Sequence, residues 1–449
     1  MRTLALWLAV CLATALVACA PVQPPAEITS VRFGAVILPK GIARSNAELA
    51  QDLLDLTFAL ESGEKLDHLV RYERPVRIYM GSPELATYRP DLMALLARIR
   101  AEAGIDIAAT DDPDKAQIRI EAVPASQIAR VFPTAACFIV PGETDWAGFM
   151  RRRPEDRVRW SDQTELGEAA IFLPPDTTPQ DVRDCLNEEI TQALGPANDL
   201  YRLPDSIWND DNFYGMATTF DMTILRALYQ PEFHSGMTRA EAAAVLPRVL
   251  YRINPQGRRL PPRPRHPESK AWATAIEEAL ARDAPRDKRL AAAQLATQIA
   301  AEMQPPDHRL GVSLLTLGRL ELRQDPAAAA GDFEEAYQLF VRLGGPRDLR
   351  AAQAGVHLAA LAVGTGQYEA AVKLADIYAP VAVENQNAIL LAGLLSIKAE
   401  ALAELGDVPG AQAARLDSLR WARYGFGDID GALAREEAQL AAMVRLDKK

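Results

Sequence analysis

The chain has 449 residues, with 60 acidic and 49 basic side chains and a formal net charge of −11. That balance excludes nucleic acid as a partner and excludes a broad basic surface for membranes. The length is enough for two or three domains with proper cores.

Arg2 supplies a positive start, and residues 4–17 form an apolar run interrupted only by Thr14. The run is too short and too abruptly ended to span a membrane well, so residues 1–18 read as a secretory signal. Leu16-Val17-Ala18-Cys19 resembles the lipobox of bacterial lipoproteins. The resemblance implies lipidation of Cys19 and a membrane anchor through the N-terminal lipid, with Pro21, Pro24 and Pro25 stiffening a tether over residues 19–30. Ala20, where inner-membrane retention would call for aspartate, points to a periplasm-facing lipoprotein of the outer membrane. An ordinary cleaved signal with a chance cysteine is the alternative.

Residues 31–250 mix helical and strand patterns. Positions 46–60 carry Leu49, Leu53, Leu54, Phe58 and Leu60 on one side, as an amphipathic helix does. Residues 75–80 alternate as a strand, residues 91–101 look helical, and short strand candidates follow at 105–108, 116–123, 137–140 and 168–173. The interleaving predicts an α+β domain with a small mixed sheet. Cys11 leaves with the signal, so Cys137 and Cys185 remain. In an oxidising envelope such a pair suits a disulfide better than a metal site, and Cys137–Cys185 is expected to staple a strand to a helix. Two buried free thiols are the alternative.

Thr178 can cap a helix, Pro179 suits its first position, Asp181 completes a capping box, and Gly195 is a natural left-handed stop. Within this helix and beyond it, Glu188-Glu189-x-x-Gln192-x-x-Gly195-x-x-Asn198-Asp199 resembles the extended H-E-x-x-H-x-x-G-x-x-H motif of the metzincin metallopeptidases. There, two ligands at i and i+4 share a helix face, glycine turns the chain back, a third ligand closes the zinc site, and the glutamate activates water. Carried over, Glu188, Gln192 and Asn198 stand at the ligand positions, Glu189 at the general base and Gly195 at the turn. The segment Ser206-Ile207-Trp208-Asn209-Asp210 sits where these enzymes form the methionine-containing turn, with Trp208 in place of methionine. Residues 217–229, ending in Leu228-Tyr229, are similar to their closing helix. The combined pattern, from Cys185 through Glu188-Glu189 and Trp208 to Gly236-Met237, resembles a bacterial family known as domain of unknown function 2927, which implies a fold and no particular activity.

Zinc prefers imidazole or thiolate, and these positions offer one carboxylate and two amides. The five histidines, His68, His234, His266, His308 and His357, all lie outside the motif. No metal or other cofactor is therefore expected, although Glu188, Glu189 and Asp199 could hold a hard cation such as calcium. Adjacent helix residues point about 100° apart, which makes a Glu188–Glu189 catalytic pair awkward. A structural role is easier, with Gln192 donating to Glu188 and with Asn198 and Asp199 satisfying the helix end.

Residues 251–267 are basic and proline-rich and read as a semi-rigid linker. From 268 to 449 the chain is rich in alanine and leucine with helical periodicity. Turn signals at Asp325-Pro326, Gly364-Thr365-Gly366 and Gly406-Asp407 recur about every forty residues. Helices are predicted at 311–323, 349–363 and 389–405, with partners at 327–343, 368–383 and 411–424. The pattern resembles tetratricopeptide-type repeats, which implies a surface for an envelope protein or peptide; an alanine-rich bundle without a binding role is the alternative. Two functions follow as expectations. One is a binding scaffold with an inert metallopeptidase-like domain that also adds a peptide strand at residues 168–173. The other is an atypical hydrolase using Glu188 and Glu189.

Overall fold

A computed structural model describes residues 31–34, 36, 41–154, 157–209, 211, 213–264, 266–281 and 284–427. The signal, Cys19 and the tether lie outside the described residues. Strands β1 (Val76–Met80), β2 (Ile107–Ala109), β3 (Ile118–Ala122), β4 (Phe138–Pro141) and β5 (Ala169–Leu173) form one sheet in the order β2-β1-β3-β5-β4. All pairings are parallel except β4 with β5, where Val140 faces Ala170. The helices α1 (Asn46–Thr57), α2 (Arg89–Arg98), α3 (Ala125–Val131), α4 (Trp146–Arg151) and α5 (Pro179–Gln192) alternate with these strands, and α6 (Thr219–Leu228) and α7 (Arg239–Ile253) close the α/β half. Ile78, Ile118, Ile120 and Ile171 of the sheet pack with Leu49, Leu53, Val182, Leu186 and Ile190 of α1 and α5 in one core. The first helix, expected to reach residue 60, stops at Thr57, and Phe58 takes its C-cap.

One expectation needs correction. Residues 168–173 are no open edge for an incoming peptide. β5 lies between β3 and β4, all five of its residues are buried, and both of its flanks are paired. Its sequence, Ala-Ala-Ile-Phe-Leu, lacks the polar alternation of a half-exposed strand, as a strand covered on both faces should. The edges of the sheet are β2 and β4.

The second half is all helical: α8 (Lys270–Leu280), α9 (Arg286–Glu302), α10 (His308–Glu321), α11 (Pro326–Gly344), α12 (Leu349–Gly364), α13 (Tyr368–Glu384), α14 (Ala388–Glu404) and α15 (Val408–Phe426). Consecutive helices pack on one another around a second core that includes Phe333, Phe340 and Tyr378. Small residues admit these rings: a Cβ on Gly318 would meet Phe333 at 2.7 Å, and one on Gly355 would meet Tyr378 at 2.8 Å. Among the described residues no helix is long and apolar enough to cross a membrane.

The two halves share a continuous interface. Phe213 belongs to the helical core, the Tyr201 ring stands edge-on to Trp272 at 5.1 Å, and His308 Nε2 lies 2.6 Å from the Tyr201 carbonyl. On another side, Arg183 of α5 stacks over Tyr424 at 3.8 Å, and the backbone N–H of Ala388 donates to Gln180. Phe33, near the start of the described chain, stacks on Trp421 of α15 at 4.4 Å. The stretch 251–267 is tied down at intervals. Asn254 donates to the Arg44 carbonyl, Arg263 pairs with Glu48, and the Pro267 carbonyl accepts from Arg309.

A disulfide joins Cys137, one residue before β4, to Cys185 in the middle of α5, with the Cα atoms 6.0 Å apart. It fixes the sheet edge to the helix that carries the motif. Closing a loop between positions 48 residues apart constrains the unfolded chain. Replacing both cysteines by serine is expected to cost roughly 2–4 kcal/mol in denaturant unfolding. Alkylation without reductant should leave both unlabelled in the native protein, and labelling of either thiol would contradict the link.

Candidate functional site

The site is built on α5. Thr178 accepts from the backbone N–H of Asp181, and Asp181 accepts from that of Thr178, so the capping box read from the sequence is formed. The helix ends at Gln192, and Gly195 turns the chain with φ at +130°. A Cβ there would lie 2.9 Å from the Leu228 side chain and 3.0 Å from the Val70 carbonyl oxygen, so both backbone freedom and lack of bulk are required.

The turn carrying Trp208 packs beneath α5. Trp208 is fully buried, and its indole N–H donates to Thr191 Oγ1 at 3.1 Å. Asp221 holds this turn in place. It accepts from Ser206 Oγ at 2.6 Å and from the backbone N–H groups of Ile207 and Thr218 at 3.1 and 2.7 Å. Burial pushes the Asp221 carboxyl up to about 6 against the pull of these bonds. Sequence reasoning missed Asp221, although the spacing Thr218-x-x-Asp221 is a capping box and could have marked it.

The three side chains expected from the sequence to stand at ligand positions meet different fates. Gln192 does not donate to Glu188 as expected. Its amide donates to Asp199 Oδ2 at 2.6 Å. Asn198 does satisfy a helix end, but that of α1, donating to the Asp55 carbonyl at 2.8 Å. Glu188 is half-buried. His234, the histidine nearest in sequence to the motif's closing helix, is exposed and bonds within its own turn. Among the described residues no three His, Cys, Asp or Glu side chains converge closely enough to hold a metal ion.

Glu189, expected from the sequence at a general-base position, is only 4 % exposed, and its Oε2 has no hydrogen-bond partner among the described residues. Burial raises its pKa well above the ordinary value, and the charges of Asp199 and Glu61 add to the shift. Loss of hydration, then the charge of Glu277, raises Glu61 in turn. Glu277 belongs to α8, and the Tyr201 hydroxyl donates to its Oε1 at 3.4 Å, a contact between the two halves. None of Glu61, Tyr201 and Glu277 stood out in the sequence.

A neighbouring group of acids is treated differently. Asp52 and Asp55, three residues apart on α1, are matched by arginines. Arg202 reaches both at 2.6 and 2.7 Å, Arg44 reaches Asp52 at 3.0 Å, and Arg239 reaches Asp55 at 2.7 Å. Arg44 also pairs with Asp205, and Arg202 also lies 3.8 Å from Glu268.

The family described as protein of unknown function (DUF2927) matches residues 46–248. No curated protein matches the chain. The DUF2927 segment runs from the first turn of α1 into α7 and contains the whole of α5, the Trp208 turn and Asp221. Glu277 lies outside it.

Two outcomes are expected. Gly195→Ala should destabilise the protein by about 1–3 kcal/mol in denaturant unfolding, from backbone strain and contact with Val70 and Leu228. For Glu189, the folded state keeps a proton that the unfolded chain gives up near the ordinary value of 4.5. Its contribution to stability is therefore full below that pH and declines as pH rises toward the folded pKa. Glu189→Gln should remove this decline, so that the variant gains on the native protein as pH rises above the ordinary value of 4.5. Parallel stability curves for the two proteins would contradict the assignment.

Proposed function

We propose that the chain is a periplasm-facing envelope lipoprotein whose α/β half is a metzincin-like domain without peptidase chemistry. The helical half is tetratricopeptide-like, and the whole is a scaffold that binds a protein or peptide through its cleft and its helical repeats. The observation that carries this reading is the state of the motif. Two of the three ligand-equivalent side chains use their amides within the fold, Gln192 on Asp199 and Asn198 on Asp55. The carboxyl at the base position is buried, and burial disfavours the ionised form that a general base needs.

The metzincin likeness is supported by the order of parts: a mixed sheet, a last strand before the glutamate helix, a glycine turn, a turn packed under that helix, and a closing helix. The repeat likeness is supported by a device that recurs in the helical half. Asp307 caps α10 and Asp348 caps α12, and each pairs with the arginine two residues on, Arg309 and Arg350, at 2.6 and 2.5 Å. Asn387 caps α14 at the corresponding place. Stacked helix pairs of this kind leave extended surfaces for partners. The lipid anchor rests on the sequence around Cys19, and Cys19→Ser should move the protein from the membrane to the soluble fraction.

Elemental analysis and a protease assay test the scaffold reading. Protein purified after zinc exposure and desalting should retain far less than one equivalent of metal and should show no chelator-sensitive cleavage of an unfolded protein substrate. Stoichiometric zinc or such cleavage would overturn the inert reading, and cleavage without zinc, whether with a hard metal ion or with none, would favour the alternative, a hydrolase using Glu188 and Glu189.

A further inference from the structure

The chain as a whole is acidic, yet residues 248–265 hold six arginines and no aspartate or glutamate. These arginines are used differently. Arg248 and Arg252 share one partner, Glu232, at 3.5 and 2.9 Å, and Arg263 pairs with Glu48 at 2.9 Å. Arg265 lies outside the described residues. Arg258 and Arg259 are exposed and make no ion pair among the described residues. Both line an open depression of about 430 Å³, together with Tyr251, Pro255 and Gln256, where the end of α7 meets the turn that follows it.

Charge is combined here with exposed apolar surface. Tyr251 is 55 % exposed with the Arg258 guanidinium 5.3 Å from its ring centre, and Leu260, next to Arg259, is 37 % exposed. A guanidinium presents a planar fork of donors that matches the oxygens of a phosphate, and its weak hydration lets it sit against an aromatic face. Tyrosine has an apolar body and a polar tip, which suits the headgroup level of a bilayer. An acidic peptide would engage the guanidinium groups and leave the exposed ring and leucine without a role. The N-terminal chain passes this face at residues 41–44. Gln256 donates to the Ile42 carbonyl at 3.2 Å and Asn254 to that of Arg44 at 3.1 Å. The stretch from Cys19 to Gly41 spans at most about 70 Å, so a lipid on Cys19 keeps the depression within reach of a membrane.

We propose that Arg258 and Arg259, with Tyr251 beside them, bind the phosphate of an anionic phospholipid and lay this face of the protein on the membrane. The proposal rests on the reading of the chain as an envelope lipoprotein. It adds to the N-terminal lipid a second contact, which fixes the way the body faces. Two guanidinium groups make a weak and reversible membrane contact by themselves, so acylation still decides whether the protein stays with the membrane.

Vesicle sedimentation of the full chain carrying Cys19→Ser, which has no acyl chain of its own, tests it. The vesicles are phosphatidylcholine alone, or equal parts phosphatidylcholine and phosphatidylglycerol. Tighter binding to the phosphatidylglycerol vesicles is expected at low ionic strength, with the advantage lost at high ionic strength. Adding Arg258→Gln and Arg259→Gln together should weaken binding to the phosphatidylglycerol vesicles about ten-fold. Adding instead Arg323→Gln and Arg342→Gln, which remove the same charge from exposed positions of the helical half, should change it less than two-fold. The apolar N-terminal run with Arg2 is common to all these proteins, so the comparison of the two pairs isolates the depression. Unchanged thermal unfolding of both pairs will show that the loss does not come from unfolding. Equal binding to the two kinds of vesicle overturns the proposal, as does an equal loss from the two arginine pairs. Pentaglutamate that releases the protein from phosphatidylglycerol at matched charge overturns it in favour of an acidic peptide, and inorganic phosphate that does so overturns the membrane as the source of the phosphate. None of these results depends on acylation, which the fractionation of Cys19→Ser tests separately.

Discussion

The organisation of this protein turns on a carboxyl group buried without a counter-charge. Glu189 occupies the core-facing side of α5, the helix that also carries the disulfide at Cys185, the contact with Trp208 at Thr191 and the contact with the helical half at Arg183. A charge in that position is expensive, and burial raises the pKa of the group well above the ordinary value. The elements packed against α5 thus enclose a group whose ionisation burial makes costly. The disulfide, the capping box and the Asp221-held turn offset that cost.

The same geometry shows how Gln192 and Asn198 help to hold the domain together. In a zinc site the metal ties the helix to the returning chain. Here Gln192 reaches Asp199 directly, Gly195 allows the turn, and Asn198 fastens the returning chain to the last turn of α1. Hydrogen bonds within the protein hold the three segments together. Trp208 then fills the volume beneath the helix with the largest side chain available, and its one polar atom is satisfied by Thr191.

Much of the fold was legible in the sequence because the relevant signals are local. The alternation at residues 75–80, the box at Thr178 and Asp181, and the glycines at 195, 366 and 406, all of which adopt positive φ, specify their own conformations. The helices predicted around the recurring turns begin and end within about three residues of the observed ones, as frayed ends allow. What was misjudged depends on spatial neighbours. Strand order is not written into a strand, so β5 was taken for an edge, although its unbroken apolar run was a hint of burial on both faces. The partner of Gln192 was sought one turn back on the same helix, where spacing suggests it, and lies beyond the glycine turn. The contact of Tyr201 with Glu277 was invisible for the same reason, since only the docking of α8 against the α/β half creates it.

The protonation state of Glu189 in the folded protein is the most direct test of this account. Carbon-detected NMR of protein labelled at the glutamate side-chain carboxyl, titrated from pH 3 to pH 9, should show one resonance titrating well above the others and missing from Glu189→Gln. If every glutamate titrates in the ordinary range, the buried and uncompensated carboxyl on which the structure is argued to depend does not exist.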